Sequence, residues 1–211
     1  MTAEPEVNLW TEADHARDYL NRRKNLPHRQ TGYAVLTEFL PASVARALDL
    51  GCGDGEVMGR VVEAFPSVEG IACDFSEEML ARARARFDDT NVTVVEHNLD
   101  EALPADWGIF DVVVSAFAIH HVADARKRVL YGEVFDHLRP GGVFLNLEHV
   151  DSPTPELHAS FLEAAHIDRD DPSNKLALVE TQLSWLRDLG FEHVDSHWKW
   201  REMALLAGVR P

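Results

Sequence analysis

Short, nearly continuous apolar runs recur along the chain, separated by stretches in which apolar residues return every three or four positions. Ala45–Leu50 (ARALDL), Val68–Cys73 (VEGIAC), Val92–Glu96 (VTVVE), Phe110–Ser115 (FDVVVS) and Val143–Leu147 (VFLNL) are the runs. Their β-branched content and lack of alternation predict strands buried on both faces of a parallel sheet. Between them, Val57, Met58, Val61, Val62 and Phe65 form one helical face over Glu56–Phe65, stopped by Pro66. Ser76 offers an N-cap for a second helix that runs to about Phe87, with Glu77 and Glu78 in its first turn. A third, Ala125–Leu138, is expected to close at the basic, proline- and glycine-bearing RPGG. Strands alternating with helices of this length predict a doubly wound α/β sheet, with ligands at the carboxyl ends of its strands.

The flanks depart from that rhythm. Residues 8–40 read as one or two amphipathic helices, Asp14–Leu26 and a second carrying Tyr33, Leu36, Phe39 and Leu40, with Pro27 between them. Asp151–Ser173 is polar and proline-rich around one helical piece, Glu156–Ala165, as an inserted cap would be. Thr181–Leu189 is a helix ended by Gly190, and Glu192–Trp198 and Glu202–Ala207 form a final antiparallel strand pair. The expectation is a single domain over 1–211. It comprises cap helices (8–40), a ligand-binding core (45–150), a cap insertion (151–180) and a terminal helix and strand pair (181–211). The sheet has seven strands, mostly parallel.

Composition narrows the class. The 211 residues carry 20 basic against 36 acidic side chains, a formal net charge of −16. Such an excess repels a polyphosphate backbone, so a nucleic-acid partner is not expected. No apolar run approaches the roughly 20 residues of a membrane span, and MTAEPEVNLW has no secretory pattern, so the expected setting is cytoplasmic. Two cysteines, Cys52 and Cys73, are too few for a disulfide framework and read as small buried residues in a reducing compartment.

The chemistry gathers at Leu48–Gly55 (LDLGCGDG), at the end of the first strand. Gly51, Gly53 and Gly55 permit positive φ and let a ligand approach bare backbone. Asp49 places a carboxylate where it needs a hydrogen-bonding or charged partner. A dinucleotide fingerprint would need a third glycine at 56, where Glu56 stands. A carboxylate at that helix N-terminus would repel the pyrophosphate that has to bind there by several kcal/mol at low dielectric, roughly hundreds-fold in affinity. No G-K-[ST] follows, so a P-loop is excluded as well. The loop suits a phosphate-free ligand with a ribose and a positive charge.

LDLGCGDG, CDFSEEML, VVEHNLDEALP, FDVVVSAFAIHHV and LRPGGVFLNLEHV, in this order, resemble the class I S-adenosylmethionine-dependent methyltransferases across about residues 45–150. The resemblance implies S-adenosylmethionine as cofactor and S-adenosylhomocysteine as product. Asp49, Gly51, Cys52 and Gly53 would meet its methionine part, and Asp74 both ribose hydroxyls. Phe75 and Met79 would pack on the adenine. Asn98, where the family usually has Asp, would accept from the adenine amino group, and Leu99 would offer its backbone N–H. Ser115 and Ala116 would line the cofactor near the sulfonium.

Methyl transfer from a sulfonium needs alignment, exclusion of water and sometimes a base. His120, His121, Glu148 and His149 stand at the ends of the fourth and fifth strands, and His121 is the preferred base, with a structural role for the pair as the other reading. These four could also hold zinc or iron, but no spacing such as H-E-x-x-H accompanies them, and no metal is expected. Tyr19, Arg22, Arg29 and His149 are the candidate substrate contacts, for a small acceptor that could carry a carboxylate; His158, Phe161 and Asn174 would complete the cap. The expected activity is methyl transfer to an O, N or C nucleophile of a small molecule by a monomer or homodimer. The alternatives are an enzyme acting on protein or RNA and a non-catalytic cofactor-binding subunit.

Overall fold

The computed structural model describes residues 26–211. The expected first cap helix, with Tyr19 and Arg22, lies outside the described residues. Helix α1 (Arg29–Glu38) leads into β1 (Arg46–Leu50), α2 (Glu56–Ala64), β2 (Glu69–Asp74), α3 (Glu77–Phe87) and β3 (Val92–Glu96). Then come β4 (Phe110–Ala116), α4 (Asp124–His137), β5 (Leu138–His149), α5 (Pro155–Ala165), α6 (Val179–Asp188), β6 (Glu192–Trp200) and β7 (Met203–Val209). The seven strands lie in the order β3-β2-β1-β4-β5-β7-β6, with β7 antiparallel to both neighbours and the rest parallel. The order reverses between β1 and β4, so the ends of these two strands open on the crevice where ligands bind in such sheets.

The central strands are apolar because helices cover both faces. Val112, Val113 and Val114 of β4 and Leu48 and Leu50 of β1 are wholly buried. One side of the sheet packs Met58, Val61 and Leu36; the other packs Leu130, Tyr131, Val134 and Leu186. Among the described residues no helix is long and apolar enough to cross a membrane.

One boundary differs from expectation. RPGG does not close α4 but lies inside β5, which begins at Leu138, directly after the helix. Arg139 turns to Asp111, Nε to Oδ1 at 2.5 Å, and Gly141 and Gly142 exchange backbone bonds with Arg210. Tertiary pairing with the C-terminal chain thus extends the strand through residues that locally read as a helix stop, at the cost of a register shift against β4. Ser76 occupies the N-cap of α3 without a side-chain bond; Asp74 Oδ1 accepts the Ser76 N–H instead, at 2.9 Å.

The insertion between β5 and α6 does two things. Helix α5 lays Phe161 against His149 and Trp200, while the segment after it returns to the sheet, where Lys175 N donates to His120 O at 2.8 Å. Across α4, β5 and α6 runs a buried polar relay: Asn146 Nδ2 donates to Tyr131 Oη (3.1 Å), which donates to Gln182 Oε1 (2.6 Å). Removing the hydroxyl strands two buried amide groups. Tyr131→Phe is therefore expected to lose about 1–3 kcal/mol of stability in urea titration, with the denaturant slope unchanged.

Candidate functional site

The ends of β1, β2 and β4 open into one cavity. Asp49, Gly51, Cys52, Gly53, Asp74, Phe75, Met79, Asn98, Leu99, Ala116 and His121 all line it. The cavity is open to solvent, and 22 residues from the ends of β1, β2 and β4, from α1 and from the segment after α5 line it.

The loop after β1 is shaped by its glycines. Gly51 has φ +66°, and a Cβ there would sit 2.2 Å from that of Ala118. Gly53, at φ +54°, has no atom within 4 Å of where its Cβ would lie, so its backbone faces the cavity bare. Its N–H donates to Asp74 Oδ2 at 2.9 Å, tying the two strand ends together.

Asp49 is 1% exposed. Its Oδ2 accepts the Met58 N–H at 3.1 Å, in the first turn of α2, while Oδ1 has no hydrogen-bond partner among the described residues. Burial, against the opposing pull of the Met58 amide and reinforced by Asp74 and Asp54, raises its pKa to about 7. Burial also raises Asp74, partly offset by the Ser76 and Gly53 amides. Cys52 and Cys73 are free, buried thiols pushed upward by the same desolvation, which leaves them protonated and inert. Glu56, at the start of α2, pairs with Arg60 at 3.0 Å and lies 3.8 Å from Arg86.

Phe75, Met79, Leu99 and Asn98 line the cavity beyond the ends of β2 and β3. Asn98 Oδ1 already accepts the Asp100 N–H at 3.0 Å, which leaves it a second lone pair. Ser115 does not reach the cavity; its hydroxyl turns inward and donates to Leu50 O at 2.8 Å.

The four residues grouped as possible bases separate. Only His121 faces the cavity. His120 and Glu148 are buried behind its wall as a pair, Nδ1 to Oε1 at 2.7 Å. Burial pushes Glu148 up to about 7 and His120 well down. His149 turns the other way, Nε2 to Glu202 Oε2 at 3.0 Å, and Glu202 also accepts from Ser152 and His158. Among the described residues no group of three or more His, Cys, Asp or Glu is placed to hold a metal ion.

Of the expected substrate contacts, Arg29 lines the cavity. Its guanidinium donates to Tyr33 Oη at 2.8 Å and stacks 4.1 Å from the centre of the Phe117 ring. Phe117 holds φ +54°, an unusual conformation for a bulky residue, and this turn follows directly on β4. His158, Phe161 and Asn174 stand outside the cavity; from the insertion it is Ser173 and Lys175 that line it. Phe117, His97, Ser173 and Lys175 escaped the sequence reading. Phe117 and His97 lay inside quoted motifs but were not among the residues chosen, and Ser173 and Lys175 carry no local pattern.

Comparisons with known proteins agree with this geometry. Residues 47–142 match the family described as "Methyltransferase domain". A demethylmenaquinone methyltransferase of Thermus thermophilus is 36% identical over 109 residues, which cover 51% of this chain and 49% of that protein. An O-methyltransferase family protein from Burkholderia thailandensis superposes with a TM-score of 0.75 at 23% identity, over 95% of this chain and 61% of that one. Human N-acetylserotonin methyltransferase, solved in complex with S-adenosylmethionine, superposes with a TM-score of 0.70 at 17% identity, over 100% of this chain and 60% of that one. Over residues 47–142 the chain carries a methyltransferase domain, and its fold is that of the class I S-adenosylmethionine-dependent methyltransferases. It spans about half the length of the curated relatives it matches, 42%, 49% and 54% of three of them.

Asp49 also gives the ligand-free chain a pH signature. Its folded pKa near 7 lies above the 3.8 of the unfolded group, so between these values the folded state binds more protons and stability falls as pH rises. Asn keeps an acceptor for the Met58 amide and carries no charge. Asp49→Asn is expected to be more stable than wild type at pH 8, on the order of 2–4 kcal/mol. The gain should shrink steadily as the pH of the denaturation series is lowered toward 4.

Proposed function

We propose that this chain binds S-adenosylmethionine in the cavity and transfers its methyl group to a small-molecule acceptor. One observation carries the reading: the buried Oδ1 of Asp49, without a partner among the described residues, in the same cavity as Asp74. A half-satisfied carboxylate in a desolvated site is a receptor for a cation, and the ammonium of the methionine part supplies one. The other residues fit the rest of the molecule. The Asp74 oxygens, each with one amide bond, keep lone pairs for two ribose hydroxyls. Phe75 and Met79 offer apolar faces to adenine, and Asn98 and Leu99 its polar edge. Glu56, held by Arg60, disfavours a pyrophosphate cofactor at the same helix start.

The cofactor supplies an electrophilic methyl group and its own leaving group. What falls to the chain is alignment and proton removal. His121 would take a proton from the acceptor's nucleophilic atom, leaving there the electron pair that would receive the methyl group. Arg29, Tyr33 and Phe117 form an aromatic wall with a cationic face for the acceptor. The demethylmenaquinone and N-acetylserotonin enzymes that the chain resembles have small-molecule acceptors in their names, which supports that class here.

Incubation with tritiated S-adenosylmethionine and, separately, metabolite, protein and RNA fractions tests the reading; label is expected in the metabolite fraction. By calorimetry, Asp74→Ala is expected to lose about 100-fold or more in cofactor affinity, from two charge-assisted hydrogen bonds. Wild-type affinity in that variant would sink the site assignment. His121→Asn keeps a donor near the Nδ1 position but no base, and should slow label transfer about 100-fold with cofactor affinity unchanged.

A further inference from the structure

Behind His121 runs a short chain of hydrogen bonds that no core motif contains. Nδ1 of the ring lies 3.1 Å from Ser173 Oγ and 3.3 Å from Ser173 O. Ser173 Oγ donates to Asp171 Oδ1 at 2.7 Å, and the same oxygen accepts the Ser173 N–H at 2.9 Å. A serine hydroxyl has one proton, and here the carboxylate takes it; a backbone carbonyl has none. Both neighbours of Nδ1 therefore accept from the ring, and Nδ1 carries the proton. In the neutral ring the lone pair is then on Nε2. Burial keeps the ring neutral, pushing its pKa down to about 3, and the His120 ring lies tilted against it with centroids 4.0 Å apart.

The segment that brings Ser173 is anchored through both backbone groups of Lys175. Lys175 N donates to His120 O at 2.8 Å. The buried ammonium of Lys127 donates to the Lys175 carbonyl and, at 2.8 Å, to Asp124.

We propose that Ser173 and Asp171, between α5 and α6, are positioning residues for His121. They hold it in the Nδ1–H tautomer, so that Nε2 is the atom that receives the acceptor's proton. This rests on the reading of His121 as base. The proton moves from the acceptor's oxygen or nitrogen to Nε2, and the bonding pair stays on that atom for the methyl carbon. The imidazolium that forms is stabilised by Asp171 through Ser173, as a carboxylate stabilises the ring in hydrolytic triads. The insertion, rather than the core, thereby supplies part of the base.

Nitrogen NMR of the imidazole rings in the full chain reads the tautomer directly; the rate of tritium transfer from S-adenosylmethionine into the metabolite extract reads its use. Wild type is expected to show His121 protonated at Nδ1 and bare at Nε2. Asp171→Asn keeps an oxygen for Ser173 and drops the charge; label transfer should fall about 10-fold or more, with calorimetric cofactor affinity within about twofold. Ser173→Ala should shift the ring toward the Nε2–H form and slow transfer, and Ser173→Thr, which restores the hydroxyl, should recover both. A purely structural role would not move the tautomer. An Nε2–H ring in wild type overturns the proposal, and so does Ser173→Ala with the tautomer unchanged. A shifted tautomer with an undiminished transfer rate supports the positioning and overturns His121 as base.

Discussion

A carboxylate that the protein buries and only half satisfies is the constraint on which the site depends. Asp49 sits at the end of β1 with one oxygen on the Met58 amide and the other without a partner among the described residues. Such a group destabilises the ligand-free fold at neutral pH. Much of the surrounding structure holds it in place: Gly51 closes the turn where no larger residue fits against Ala118, and Asp74 binds the Gly53 amide from the next strand. A cation entering the cavity removes the penalty, and that energetic difference between filled and empty states is a source of affinity that an ordinary surface acid lacks.

The carboxyl end of β4 shows the same economy with histidine. Adjacent residues on a tight turn project differently, so His120 goes to Glu148 in the interior while His121 lines the cavity. One is part of a buried pair that links the turn after β4 to β5; the other is the proposed base. A third cluster, His149 and His158 on Glu202, ties β5 and α5 to β7. Three histidine environments thus lie around the ends of β4 and β5.

Legibility in the sequence followed locality. Each buried strand announces itself by a run such as VVV at 112–114, because burial on both faces demands it. The loop at 48–55 and the acid at 74 were legible because glycines and a carboxylate after a strand have few other uses. RPGG misled, since pairing with Arg210 some 70 residues away overrode a local stop signal. The same holds at the site: Ser173 meets His121 across a separation of 52 residues, and nothing near Ser173 marks it. Ser115 and Glu148 were placed on the right strands, but which way a strand residue faces near its end depends on packing that only the fold supplies.

Calorimetric titration of the chain with S-adenosylmethionine near pH 6, in buffers of differing ionisation enthalpy, tests the central claim most directly. At that pH Asp49 is mostly protonated in the empty site and must ionise to receive an ammonium. The account predicts net release of close to one proton per ligand bound in wild type, and loss of that release in Asp49→Asn. Binding with no proton exchange in wild type, or equal release in the variant, would contradict it.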